Sequence, residues 1–223
     1  MLETFEGKAG ESMFIEQRQV GNMAVFAYLV GDEKSGEALV IDPAADVEGL
    51  INLAGKHHVA IKTIVNTHGH VDHIGGNAEM KKRTGAQIVV HQDDADMLVN
   101  TPPELLRMFD AKPSPPADRT VLEGDIIEAG EVKLRVIHTP GHSPGSMALY
   151  MDGYVFTGDT VFVEAVGRTD LPGGSWEIMF DSIKRKLLAL PDETVVLPGH
   201  NYGRSTTSTI GHERKYNPFF NNL

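Results

Sequence analysis

The chain contains no cysteine. Disulfides are therefore excluded, and any bound metal must be held by nitrogen and oxygen donors rather than thiolates. The same absence suits a reducing compartment, so a cytoplasmic location is expected. Basic charge is scarce: 20 Lys and Arg stand against 31 Asp and Glu, a formal charge of −11. Non-specific nucleic-acid binding draws on basic patches, so no nucleic-acid partner is expected. An acidic body can still hold a small basic pocket for an anionic substrate. No apolar run reaches the length of about 18 residues that a membrane span needs, and no membrane partner is expected. The opening residues, Met1-Leu2-Glu3-Thr4-Phe5-Glu6, lack the apolar core of a secretion signal.

What the chain has is enough apolar material for a large core, 41% of its 223 residues, and 23 glycines for tight turns and loop-borne sites. The expected organisation is one domain over 1–223, with 203–223 as a tail packing on it. Strand-like runs at 12–20, 23–30 and 38–41 open the first half, with a turn at Gly21-Asn22. Apolar residues at Val47, Leu50, Ile51 and Ala54 predict a helix over 46–58 with Asp46 as N-cap. Its last turn carries His57 and His58, which suit the helix dipole. A β-branched strand at 61–66, a helix at 77–84 and a strand at 86–90 follow, the last ending at His91. Residues 101–118 are proline-rich, with a possible short helix at 104–110, and read equally as a flap or a connection. The second half restarts with strands at 120–122, 125–128 and 132–137. A hairpin over 147–156 turns at Asp152-Gly153. A helix over 175–190 with Ser175 as N-cap precedes a last strand at 194–197.

The chain is organised around Thr67-His68-Gly69-His70-Val71-Asp72-His73. Three imidazoles and a carboxylate crowd the loop between a strand and a helix, where α/β sheets place their chemistry. Without a metal such groups would repel or compete for protons. Asp72 alone would read as an N-cap, but the cluster as a whole reads as a metal site. Three further donors, His142, Asp159 and His200, each stand beside glycine at the end of a strand-like run. One ion rarely needs more than about four to six protein donors, so these seven suit two divalent ions sharing one carboxylate. Zinc comes first, and iron or manganese would also accept nitrogen and oxygen. Asp42, closing the run 38–41, is either a group beneath the metals or a turn former.

His68-Gly69-His70-Val71-Asp72-His73, followed in order by His142, Asp159 and His200, resembles the metallo-β-lactamase superfamily over nearly the whole chain. The resemblance implies an α/β fold, a four-layer αβ/βα sandwich with the metals at one edge. It implies that His68, His70 and His142 hold one ion, that Asp72, His73 and His200 hold the other, and that Asp159 bridges both. His138 matches no ligand position and reads as structural. Asp159, together with Gly167-Arg168 and Pro198-Gly199-His200-Asn201-Tyr202, resembles glyoxalase II, where residues matching Arg168 and Tyr202 bind substrate. The alternative for Arg168 is an ion pair with Asp170, which stands where glyoxalase II has an aromatic residue. With Gly167-Arg168-Thr169-Asp170 and Thr209-Ile210-Gly211-His212-Glu213-Arg214 the chain looks closer to the short bacterial glyoxalase-II-like proteins.

The implied activity is hydrolysis of a small-molecule thioester, such as a hydroxyacylglutathione, by a metal-bridging hydroxide that Asp72 and Asp159 orient. A thiol of pKa about 8.5 leaves without a strong general acid. Persulfide dioxygenases share much of this pattern and use one iron on residues matching His68, His142 and Asp159. They typically carry a cysteine where this chain has Val166, which favours hydrolysis. A non-catalytic metal-binding protein is the third class, although structural zinc is usually closed and four-coordinate. The acyl group, the thiol carrier and the choice between monomer and homodimer are left open.

Overall fold

Strands that are apolar on consecutive residues need cover on both faces. Two sheets here meet that need by packing on each other and under helices. A computed structural model of the chain describes residues 2–6 and 12–220. The first sheet comprises β1 (Leu2–Glu6), β2 (Met13–Val20), β3 (Val25–Asp32), β4 (Glu37–Ile41), β5 (Ala60–Asn66), β6 (Gln87–His91) and β7 (Arg119–Val121), side by side in that order. Neighbours are antiparallel as far as β4 and parallel from β4 to β7. The second sheet begins with β8 (Ile126–Ala129), β9 (Val132–His138), β10 (Met147–Met151) and β11 (Tyr154–Gly158). A small hairpin, β12 (Val161–Phe162) and β13 (Ala165–Val166), stands outside it. β14 (Val195–Pro198) and β15 (Ser208–Thr209) complete the spatial order β15-β14-β11-β10-β9-β8.

The helices are α1 (Val47–Lys56), α2 (Val71–Ile74), α3 (Asn77–Thr84), α4 (Ala95–Val99), α5 (Pro103–Met108), α6 (Trp176–Ser182) and α7 (Ile210–Tyr216). Alternate residues of each inner strand serve different cores. Phe26, Tyr28, Val30, Leu39 and Ile41 meet Leu134, Val136, Leu149 and Phe156 between the sheets. Leu29, Val40, Ile64 and Ile88 turn outward against Leu50, Leu53 and Met80 of α1 and α3. On the far side Ala148, Val155 and Val196 pack on Met179, Ile183, Leu187 and Ile210. Three cores between four layers make the αβ/βα sandwich.

Most expected elements form. Asp46 caps α1 by accepting from Gly49 N at 3.2 Å. His57, at the end of α1, stacks on Phe14 and bonds Glu16 and Glu33. The turn at Asp152-Gly153 pairs Met151 with Tyr154, and Gly153 takes φ +82. The helix expected over 175–190 is shorter. Ser175 caps α6, but after Ser182 the chain makes a π-helical turn over Ile183–Leu187, which keeps Ile183 and Leu187 in the core. β1 and α4 were not anticipated, and part of the segment beyond Tyr202 is built into the sandwich. There β15 adds an edge to β14, and Ile210 and Phe220 enter the outer core. The two sheets are tied at one edge by Met147 N to Thr67 O, 2.9 Å, and Phe26 N to Gly199 O, 2.8 Å. Among the described residues no helix is long and apolar enough to cross a membrane.

Candidate metal centre

Every expected donor lies at that tied edge. β5 ends into Thr67 and His68, α2 carries Asp72 and His73, the loop between β9 and β10 carries His142, and β11 and β14 end into Asp159 and His200. The donor atoms form three overlapping groups, His68-His70-His142, His68-His73-Asp159 and Asp72-His73-His200, with separations inside each of no more than 4.8 Å. His68, His73, His142, Asp159 and His200 are buried. Asp159 stands between the groups. Its Oδ2 lies 3.5 Å from His142 Nε2 and 3.2 Å from His200 Nε2, and its Oδ1 lies 3.3 Å from His73 Nε2. Asp72 is 3.5 Å from His200 Nε2.

Four of the five imidazoles are fixed through Nδ1. His142 donates to Arg168 O at 2.7 Å and His200 to Met23 O at 2.8 Å. His73 donates to Asp42 Oδ2 at 3.0 Å, and His68 faces Thr67 Oγ1 at 3.1 Å. These partners turn each Nε2 to the common centre, where those of His73 and His200 lie 3.1 Å apart. His70 differs, since its Nδ1 faces His142 Nε2 at 2.9 Å. Two bare ring nitrogens at that distance need a proton or a cation between them. His68 Nε2 and Asp159 Oδ1 are buried with no hydrogen-bond partner, and buried polar atoms are rarely left so. The backbone also makes room. A Cβ on Gly167 would lie 1.8 Å from Asp159 O, and one on Gly199 would lie 2.3 Å from Asp159 Oδ1.

The electrostatics favour the deprotonated donor that a metal requires at His68, His70 and Asp159, and the protonated form at His73. Burial, reinforced by His73, pushes His68 well below its ordinary value. Burial and then His142 hold His70 at about 4. Burial also opposes charge on His73 and Asp159, but there the neighbours win. Asp159, Asp72 and Asp42 hold His73 well above its usual value, and His73 and His200 hold Asp159 well below the carboxylate range.

Two supporting carboxylates organise these loops. Asp42 accepts from Thr67 N at 2.8 Å and Thr67 Oγ1 at 2.7 Å besides His73, so it lies beneath the donors and also turns the chain at φ +47. Asp94, which sequence reasoning missed, accepts from Gly69 N, Ser143 Oγ and Gly145 N at 2.6–2.8 Å. It joins the loop of His68 and His70 to that of His142. Its only sequence signal is an aspartate just past the end of a strand, beside Asp93. His91 and His138 stack in parallel, 3.9 Å apart, and form a fourth group with Asp93. Parallel rings do not converge their lone pairs on one point, and His138 Nε2 is already engaged by Pro144 O at 2.9 Å.

A cavity of about 730 Å³ opens over His70, Asp72, His142 and Asp159. Tyr202 lines it, its ring stacked on His200 with centroids 4.5 Å apart. Arg168 lines it too, but Asp170 takes its Nε and Nη2 at 2.7 Å each. The carboxylate that was its alternative partner is thus the one it holds.

The family model of the metallo-beta-lactamase superfamily matches residues 20–200. The hydroxyacylglutathione hydrolase GloC of Haemophilus influenzae is 34% identical over 196 residues, covering 85% of this chain and 89% of that protein. Two solved structures share the fold closely. TTHA1623 in a di-iron-bound form is 33% identical with TM-score 0.79, over 91% of this chain and 98% of that one. ETHE1 from Myxococcus xanthus is 31% identical with TM-score 0.77, over 91% and 83%.

Proposed function

The chain belongs to the metallo-beta-lactamase superfamily, and from that premise we propose that it is a metal-dependent hydrolase of small-molecule thioesters. The observation that carries this is the inward turn of the Nε2 atoms of His68, His73, His142 and His200 around Asp159. In this reading His68, His70 and His142 hold one divalent ion, Asp72, His73 and His200 a second, and Asp159 both. Zinc is the first choice, with iron or manganese accepted by the same donors. Ions bound there supply water that is activated near neutral pH and Lewis-acid polarisation of a carbonyl.

The remaining work falls to the chain. Asp72 and Asp159 orient the nucleophile. Thr67, Asp42 and the carbonyls of Met23 and Arg168 keep the imidazoles in register. Tyr202 and Arg168 contact the substrate at the mouth. A leaving thiol of pKa about 8.5 departs as thiolate, which suits a thioester better than an amide. Similarity to a hydroxyacylglutathione hydrolase supports the thioester. A second reading, a mononuclear-iron persulfide dioxygenase, is favoured by His142 Nε2 lying 3.5 Å from Asp159 Oδ2, with His68 sharing one donor group with His142 and another with Asp159, since two imidazoles and one carboxylate suit one iron.

Metal content per chain, measured on protein purified without oxygen or chelator, tests the assignment together with thioester turnover. Two ions per chain and cleavage of a thioester are expected, with both lost in Asp159→Ala. One iron per chain and oxygen uptake with a persulfide would replace this reading by the second. Unchanged metal content and turnover in Asp159→Ala would overturn the site itself.

A further inference from the structure

Part of the cavity wall is apolar and supplies none of the metal donors. Met97, Leu105, Met108 and Phe109, from α4, α5 and the residue after it, belong to it, together with Val166 and Leu171. Helix α5 buries none of its residues. Leu105 is 38% exposed and Met108 72%, and neither belongs to any of the three cores. Large apolar side chains that fold into no core but line a cavity mark a ligand surface. The charge on that surface is also specific. Among the described residues lining the cavity Arg168 is the one Lys or Arg, and Asp170 already meets its guanidinium. Asp96 adds negative charge to the same lining. The carboxylates of glutathione, or the phosphates of coenzyme A, find no unpaired cation here, whereas an alkyl chain finds apolar contact on several sides.

We propose that this cavity selects an uncharged, apolar acyl group of medium length, so that the substrate is a medium-chain acyl thioester whose chain lies along α4 and α5. The inference rests on the thioesterase reading and names the acyl class for the same site. A volume of about 730 Å³ lies within the range that encloses a drug-sized ligand, room for a chain of roughly eight carbons with its thioester head. The reaction is balanced by water alone. The acyl carbon–sulfur bond breaks, a carbon–oxygen bond forms to the water oxygen, and the thiolate takes up a proton, giving acid and thiol.

The test uses the full-length metal-loaded protein and straight-chain acyl thioesters of N-acetylcysteamine, an uncharged carrier, from acetyl to decanoyl. The succinyl thioester and S-lactoylglutathione serve as charged comparisons. Binding of the matching alkyl thioethers, which cannot be hydrolysed, is measured in parallel by calorimetry. Expected is a rise in kcat/KM of about fourfold per methylene up to octanoyl, with the thioether Kd falling by a similar factor. The succinyl thioester should fall about tenfold or more below butanoyl, since its carboxylate loses water without gaining a partner. Leu105→Ser with Met108→Ser should flatten both series while the three cores stay intact. Cleavage of these thioesters with no dependence on chain length, or with S-lactoylglutathione preferred to octanoyl, would overturn the acyl assignment and leave the thioesterase reading standing. Chain-length-dependent thioether binding with no thioester cleaved would support the apolar site and overturn hydrolysis.

Discussion

Asp94 offers the sharpest test of how the metal loops are held. Its carboxylate is fully buried and accepts from Gly69 N at 2.8 Å, Ser143 Oγ at 2.6 Å and Gly145 N at 2.6 Å. The approach of Gly145 depends on its lacking a side chain, since a Cβ there would lie 2.5 Å from Asp94 N. In Asp94→Ala both backbone N–H groups lose their acceptor, while Ser143 keeps Ser146 Oγ at 2.7 Å. Each orphaned buried donor costs about 1–3 kcal/mol, so the loss is roughly 2–6 kcal/mol, against a total stability of about 5–15 kcal/mol. Asp94→Asn keeps one acceptor oxygen but points an amide N–H₂ at another donor, so about 1–3 kcal/mol is expected. Urea unfolding of the two variants and the parent, at unchanged m-value, measures these differences. Metal affinity at a temperature where both variants are folded should fall as well, because Gly69 lies between His68 and His70, and Gly145 closes the loop of His142. An Asp94→Ala protein within about 1 kcal/mol of the parent, with metal affinity unchanged, would refute the view that this carboxylate braces the centre.

Other expectations follow from the same geometry. Gly76→Ala would place a Cβ 1.9 Å from Pro43 O, where the turn after α2 passes the end of β4. Overpacking of this kind costs about 1–3 kcal/mol, read as a lower urea midpoint. Gly55→Ala, within α1 and with no atom within 4 Å of the added Cβ, should instead raise stability by about 0.4–1 kcal/mol, read as a higher urea midpoint, and a fall there would count against the helix assignment. Asp118 is held below its ordinary pKa, first by Lys81 and then by the Ile88 N–H at 2.8 Å. A depressed carboxylate contributes stability that is present above its unfolded pKa of about 3.9 and is lost as pH falls through its folded value. The stability gap between parent and Asp118→Asn should therefore be full at neutral pH and close as pH falls below about 4. A gap of constant size down to pH 3 would contradict it.

The sequence by itself determined the kinds of atoms at the centre and the elements that deliver them. Imidazole and carboxylate chemistry is written in residue identity. The glycines beside His142, Asp159 and His200 and the apolar runs before them are local signals, readable over a few residues. The sandwich was implied by the resemblance that those donors carry, and runs such as Val25–Asp32 and Glu37–Ile41, which need cover on both faces, agree with it. Only the tertiary structure decided which partner each polar group takes. His200 is fixed by the carbonyl of Met23, 177 residues away, and His142 by that of Arg168. Nothing in the local pattern marks a backbone carbonyl for such a task. Asp94 carries no local mark of its task, and only the fold sets three donors around it. The apolar residues of α5 read as part of a proline-rich segment, flap or connection, and folding brings them with Met97 of α4 into the lining of the cavity. Local propensity and pattern act between near neighbours, whereas hydrogen-bond pairing and cavity lining depend on distances that exist only after the two sheets have closed on each other.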